Sequence, residues 1–271
     1  MTMKTGEILR RIYERVYGEA DTPVEDIRIG ICYAGVRLFD DRMGLAATLL
    51  SEVTGDCLRF PHAGRLTNSS AADLLRFLLE AKNPIESALG LAAANALLQT
   101  GIRGEKDEDA LQLMNLTPAD RVAMVGFFPP LVPKIKASGA GLTVIERNPA
   151  RMPLLAEKER KAILRSCTVA VITATALLNG TMEETLQELG NPRHVAVLGP
   201  STPLCLEAFA GTPVTHLGGA LVSDTGKTLQ VISEGGGTPQ MRPYLRFVNL
   251  LKGQGRMTVS TVRRLTPTSR A

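Results

Sequence analysis

The stretch Val195 to Gly219, VAVLGPSTPLCLEAFAGTPVTHLGG, constrains the fold more than any other part of the chain. Two apolar runs of strand length each stop abruptly at glycine, and a polar, helix-starting segment lies between them. Strand, tight turn, helix start and strand again is the grammar of an open α/β sheet, whose ligands gather outside the carboxyl ends of the strands. A site is expected at those ends.

The same alternation runs through the second half. Strand candidates are Arg121 to Phe128, Leu142 to Arg147, Thr168 to Thr173, His194 to Leu198 and Val214 to Leu217; helical runs separate them at Leu131–Ala137, Ala156–Leu164, Met182–Leu189 and Pro203–Phe209. Parallel strands need helical crossovers, so the expected fold class is α/β with a doubly wound, mostly parallel sheet. The first half differs. An amphipathic helix with Ile8, Ile12 and Val16 on one face precedes a strand or hairpin over Ile27–Leu38, with Gly30 and Gly35 as bulge candidates, and Cys57 to Phe60 offers a short strand. A helix from the N-cap candidate Ser70 and a second after Asn83-Pro84, ending at Gly101, complete a small α+β unit. The charged, turn-rich stretch after residue 101 marks the boundary, giving expected domains at 1–105 and 106–255 and a basic tail at 256–271.

Length supports two cores, since 271 residues exceed the roughly 150 residues of one domain. No apolar run approaches the roughly 20 residues that span a bilayer, so no membrane partner is expected. Charges interrupt the amino-terminal helix where a secretory signal needs an apolar core, and Cys32, Cys57, Cys167 and Cys205 form no CxxC pair, so a cytoplasmic protein with buried, reduced thiols is expected. The net charge of +4 suggests nucleic acid only until it is located: Lys252, Arg256, Arg263, Arg264 and Arg270 lie in an acid-free tail, and without them the chain carries −1. No aromatic residue interleaves with those arginines, which disfavours nucleic acid as a partner and favours a solvated tail.

Several residues at the expected strand ends carry chemistry. VAMVGFFPPL holds Gly126 and Phe128 but lacks GxGxxG, so NAD is disfavoured; Pro129 and Pro130 suit a helix entry whose amides would receive an anion. Glu146 stands where an acid would hold a ribose, or is a turn acid paired with Arg147 or Arg151. Thr173, Thr175, Asn179 and Thr181 surround the end of the third strand, although Thr181 with Glu184 also fits a capping box. In LGPSTP, Gly199 and Pro200 break a strand, while Ser201 or Thr202 can cap a helix near Pro203 and also face a ligand. His216 reads as the end of the last strand beside Gly218 and Gly219, where imidazole suits a metal or acid-base role; a lone histidine is as readily a satisfied structural residue. His62 is a loop histidine and His194 begins a strand. HExxH, GxSxG and a complete P-loop around Gly226-Lys227-Thr228 are all missing.

The stretches ICYAGVRL with RMGLAATL, LGLAAANALL, VGFFPPLVPKIK, VITATALLNGTMEETL, VLGPSTPLCLEAF and VTHLGGALVSD occur here in order over nearly the whole chain. In this the chain resembles the bacterial and archaeal family of putative heavy-metal chelation proteins. The resemblance implies an enolase amino-terminal-like domain, then a Rossmann-like domain, with a cleft between them. Its motif residues carry over to Tyr33, Asn95, Gly126, Phe128, Thr173, Thr175, Asn179, Thr181, Gly199, Pro200, Ser201, Thr202, Gly218 and Gly219.

These groups are mostly neutral hydrogen-bonding ones, whereas bare soft metals prefer thiolate and imidazole. A metal already chelated by an organic ligand needs only hydroxyl, amide and backbone contacts. Three functions are therefore expected to compete. The first is binding of a metal ion or small anionic metal chelate. The second is an enzyme acting on a small anionic metabolite through Glu146 or His216. The third is an interaction adaptor using the tail. A homo-oligomer is compatible with each.

Overall fold

The computed structural model describes residues 3–52, 60–67, 69–102 and 109–253. The basic tail and Cys57 lie outside them, as does nearly all of the short strand expected over Cys57–Phe60.

Helix α1 (Glu7–Val16) buries Ile8, Ile12 and Val16, the face expected from their spacing. The hairpin region resolves into β1 (Val24–Ile29) and β2 (Tyr33–Leu38), and β3 (Met43–Ala47) completes a three-stranded antiparallel sheet. Gly30 and Gly35 are not bulges; the register shift lies between Val24 and Asp26. Side chains alternate across this sheet. Ala34, Val36, Leu38 and Ala46 join the main core with α4 (Pro84–Leu98), while Met43 and Leu45 join Leu229 and Ile232 on the other face.

Helix α4 is buried on nearly every side, and its small residues let the sheet approach: a Cβ on Gly44 would stand 2.0 Å from Ala92 O. Asn83 caps it, its Oδ1 accepting Ile85 and Glu86 N–H at 3.1 and 3.0 Å. The run after Ser70 is two short helices, α2 (Ala71–Leu75) and α3 (Phe77–Glu80), where one was expected.

The second half continues through α5 (Ala110–Met114), β4 (Arg121–Val125), α6 (Val132–Ala137), β5 (Gly141–Ile145), α7 (Glu157–Ser166), β6 (Val169–Thr173), α8 (Thr175–Leu178), α9 (Met182–Glu188) and β7 (His194–Leu198). It ends with β8 (His216–Val222), α10 (Thr225–Ser233), α11 (Thr238–Met241) and β9 (Leu245–Leu251). Six strands form one sheet in the order β5-β4-β6-β7-β8-β9, parallel except for the antiparallel β9. β6 and β7 are almost wholly buried, as befits parallel strands covered on both faces. Asp224 Oδ1 caps α10 by accepting Lys227 N–H at 2.9 Å, so Gly226-Lys227-Thr228 is a helix start.

Three differences from the sequence reading matter for the site. No α-helix begins near Pro203; only a 3₁₀ turn, Leu206–Phe209, separates β7 from β8, and the hydroxyl of the cap candidate Ser201 accepts Ala47 N–H instead. β8 runs to Val222, so His216 opens that strand where it was expected to end one. Helix α10 reaches back onto the small sheet, where a Cβ on Gly30 would stand 2.2 Å from Ile232 O. The small sheet is thus a layer between α4 and α10.

Candidate functional site

The large sheet reverses its strand order between β4 and β6: β5 lies to one side, and β6, β7 and β8 lie to the other. In open α/β sheets ligands gather beyond the carboxyl ends of such neighbours. Gly126 follows β4 with φ +87°, and a Cβ there would stand 2.6 Å from Thr173 Cγ2, so the two tips touch through a glycine that tolerates both the turn and the approach. Thr173 ends β6, and its Oγ1 lies 3.0 Å from that of Thr175 at the start of α8. Both threonines are half-buried, and Phe128 packs partly buried against the core below.

Glu146, just past β5, is a turn acid beside Arg151, and it also reaches the β4 loop. Its carboxylate accepts N–H bonds from Phe127 at 3.2 Å, Arg147 at 2.7 Å and Asn148 at 3.0 Å, with Arg151 at 3.8 Å. It ties the β4 and β5 loops together. Thr181 makes no helix cap; it pairs with the Asn179 amide at 2.8 Å, while Glu184 turns to Arg160. With its amide turned so that both ends are satisfied, Asn179 donates to Thr181 Oγ1 and Ala176 O and accepts from Arg147 Nη1 at 3.0 Å.

The next tip is continuous with this one, since Thr173 pairs with Leu198 and Ala174 N–H donates to Leu198 O at 3.0 Å. Gly199 and Pro200 are partly exposed, but Ser201 and Thr202 are only 2% and 3% exposed. Ser201 Oγ accepts Ala47 N–H at 2.9 Å, and Asn95 Nδ2 donates to Leu45 O at 2.9 Å and Ser201 O at 3.1 Å. Gly218 and Gly219 line the neighbouring stretch of β8, where Cβ atoms would meet Leu198 and Leu204. Tyr33, paired in register with Ala47, places its hydroxyl 2.8 Å from Thr238 Oγ1, and burial pushes its phenol up. Asn95 Oδ1 and Thr202 Oγ1 are buried without a hydrogen-bond partner.

His216 lies two residues before Gly218 on β8, in register with Ala196 of β7, and is fully buried, with Nε2 2.9 Å from Asn249 Oδ1 and Nδ1 3.1 Å from His194 Nε2. Burial depresses both imidazoles, that of His194 to about 4, with His216 and Arg193 adding to the effect. The histidine pair was missed in the sequence because neither strand start marks which neighbour it will face. Arg147 was noticed only as a partner for Glu146.

The donor set does not fit a bare heavy-metal ion. Among the described residues no three His, Cys, Asp or Glu side chains form a group that could hold one. Cys167 and Cys205 are buried and their thiols are pushed up, that of Cys205 to about 11, which keeps them protonated near neutral pH. Exposed Cys32 has only a long contact, 3.8 Å, to Gly235 O. Among the described residues no helix is long and apolar enough to cross a membrane.

Comparison with known proteins agrees with this architecture. Two family models, both described as putative heavy-metal chelation, match residues 13–98 and 109–251. An uncharacterized protein of Methanocaldococcus jannaschii is 27% identical over 237 residues, covering 82% of this chain and 89% of the relative. Two solved structures of unknown function are similar. One, from Pyrococcus horikoshii, has a TM-score of 0.77 at 25% identity and covers 90% of this chain and 99% of that one. The other, from Desulfitobacterium hafniense, has a TM-score of 0.73 at 20% identity and covers 90% and 98%. With matched regions that take in both sheets, the chain belongs to the putative heavy-metal chelation family.

Proposed function

We propose that this protein is cytoplasmic and binds a small anionic metal chelate, metal and organic ligand together, over the tips of β4 and β6 beside the small-sheet layer. The observation that carries this reading is the strand-order reversal at Gly126 and Thr173, with the paired Thr173 and Thr175 hydroxyls partly open above it. Neutral hydroxyls and backbone groups suit the organic shell of a chelate and serve a naked soft ion poorly. The unpaired cysteines among the described residues agree with a reducing compartment.

An enzyme acting on an anionic metabolite is the weaker reading. The acid-base groups it would use are engaged elsewhere: Glu146 by three backbone N–H groups, and His216, fully buried, by His194 and Asn249. An adaptor role rests on the tail, and removing residues 254–271 should leave chelate affinity unchanged.

Calorimetry with nickel chloride, nickel–citrate and citrate alone tests the proposal. Nickel–citrate is expected to bind more tightly than either component, and Thr173→Val combined with Thr175→Ala should weaken it about 10-fold, the worth of one or two hydrogen bonds. Equal binding by the double variant, or free nickel binding as tightly as the chelate, would overturn the reading.

A further inference from the structure

An anionic guest over Thr173 and Thr175 needs a counter-charge that these neutral groups do not supply. Arg147 is placed to give it. Its backbone is fixed at the end of β5 by N–H donation to Glu146 at 2.7 Å, yet its side chain is exposed. Its guanidinium meets Asn179 Oδ1 at 3.0 Å, beyond α8 and on the β6 side of β4. β5 and β6 flank β4, and adjacent strands lie about 4.8 Å apart, so this contact joins the two flanks of β4 across about 10 Å.

The partner it meets there is a neutral amide, which leaves the other N–H donors of the guanidinium fork available. A carboxylate or phosphate-type oxygen would replace that amide with a charge-assisted bond roughly twice as strong, in bidentate geometry. Other charged groups at this end are already committed or peripheral. Glu146 holds backbone and Arg151 leans toward Glu146; exposed Glu52 Oε1 lies 3.4 Å from the same Asn179 amide atom that Arg147 approaches, outside ion-pair distance of the guanidinium.

We propose that Arg147 is the anion-selecting residue of the site: it exchanges its contact with Asn179 for an acidic oxygen of the chelate's organic shell. This rests on the chelate reading above and adds the charge of the ligand. The site should then discriminate between chelates of one metal by their net charge.

The test is calorimetry on the full chain with anionic nickel–citrate and cationic nickel tris(ethylenediamine), using wild type, Arg147→Gln and Arg147→Lys. Wild type should prefer the anionic complex. Arg147→Gln should weaken that complex about 10- to 100-fold, the worth of a hydrogen bond to a charged group, and leave the cationic one unchanged. Arg147→Lys should restore most of the loss, and both variants should keep the wild-type unfolding midpoint. If Arg147→Gln binds nickel–citrate like wild type while the threonine double variant does not, the role of Arg147 is overturned and the site stands. Equal weakening of both complexes would mark a structural clasp and also overturn anion selection. A wild type that binds neither complex removes the site and Arg147's role together.

Discussion

The tips of β6 and β7 look alike as sequence, since each ends an apolar strand in a pair of hydroxyl residues, and they do opposite things. Thr173 and Thr175 are half-exposed and bond chiefly to each other. Ser201 and Thr202 are buried, and Ser201 takes Ala47 N–H while Asn95 takes the Ser201 carbonyl. One tip leaves its hydroxyls partly exposed; the other uses Ser201 to fasten the small sheet to the large one. A hydroxyl at a strand end is therefore only a candidate, and burial together with the partner found across the fold decides its use.

The strongest way to break this division is at the fastened tip. Gly44 lets β3 close on α4 behind Asn95, and a Cβ there would stand 2.0 Å from Ala92 O and 2.3 Å from Ala96 N, both backbone atoms that have no rotamer to escape into. Gly44→Ala should cost about 3–5 kcal/mol by denaturant titration, at the upper end for overpacking. A loss below 1 kcal/mol would mean the junction is looser than described.

A smaller effect comes from the histidine pair at the first residues of β7 and β8. His194 and His216 are held below their ordinary value of 6.5, His194 at about 4, by burial first. The unfolded chain then binds more protons below pH 6.5, so stability is full above that pH and falls as pH drops from about 6.5 toward 4. The groups facing the pair are Arg193, whose charge adds to the depression, and Asn249. The expected loss is about 1–2 kcal/mol, discounted because His194 is partly exposed. Asp120, held well below the usual carboxylate range first by Arg193, loses its contribution only below about pH 4, so the two windows separate. Denaturation at pH 7.5, 6 and 5 should show the histidine step, and His194→Gln should flatten it.

Those two effects also mark where the sequence was readable. β4, β6 and β7 were legible because parallel strands buried on both faces appear as apolar runs, and the exposed edge strand β5 was legible from its alternation. β3 was not, since MGLAA is built from small residues chosen for close approach to α4, and β9 was not, since Arg246 and Asn249 interrupt its apolar pattern. The helix expected at Pro203 did not form although Asn83-Pro84 starts α4 with the same pattern; the cap candidate Ser201 is engaged across the fold by Ala47 instead. At the site, Gly126 and Thr173 were legible as residues that follow a strand. The burial of Ser201 was not, because its partner Ala47 lies 154 residues away in sequence. Glu146 and Arg147 exchanged their expected importance for the same reason: the acid met backbone and the base met an amide on the β6 side of β4.

The finest test sets the two tips side by side with a single hydroxyl removed from each. Ser201→Ala leaves the buried Ala47 N–H without its acceptor, so it should lower stability by about 1 kcal/mol and leave nickel–citrate affinity within about twofold. Thr175→Ala removes a group whose recorded side-chain partner is another half-exposed threonine, so it should change stability by less than about 0.5 kcal/mol and weaken nickel–citrate severalfold. Each variant needs both measurements, because the argument lies in the crossing of the two effects. Should Ser201→Ala weaken binding more than Thr175→Ala, the fastened tip would open when ligand arrives, and the Thr202 hydroxyl and Asn95 carbonyl buried there without partners would become the next groups to test.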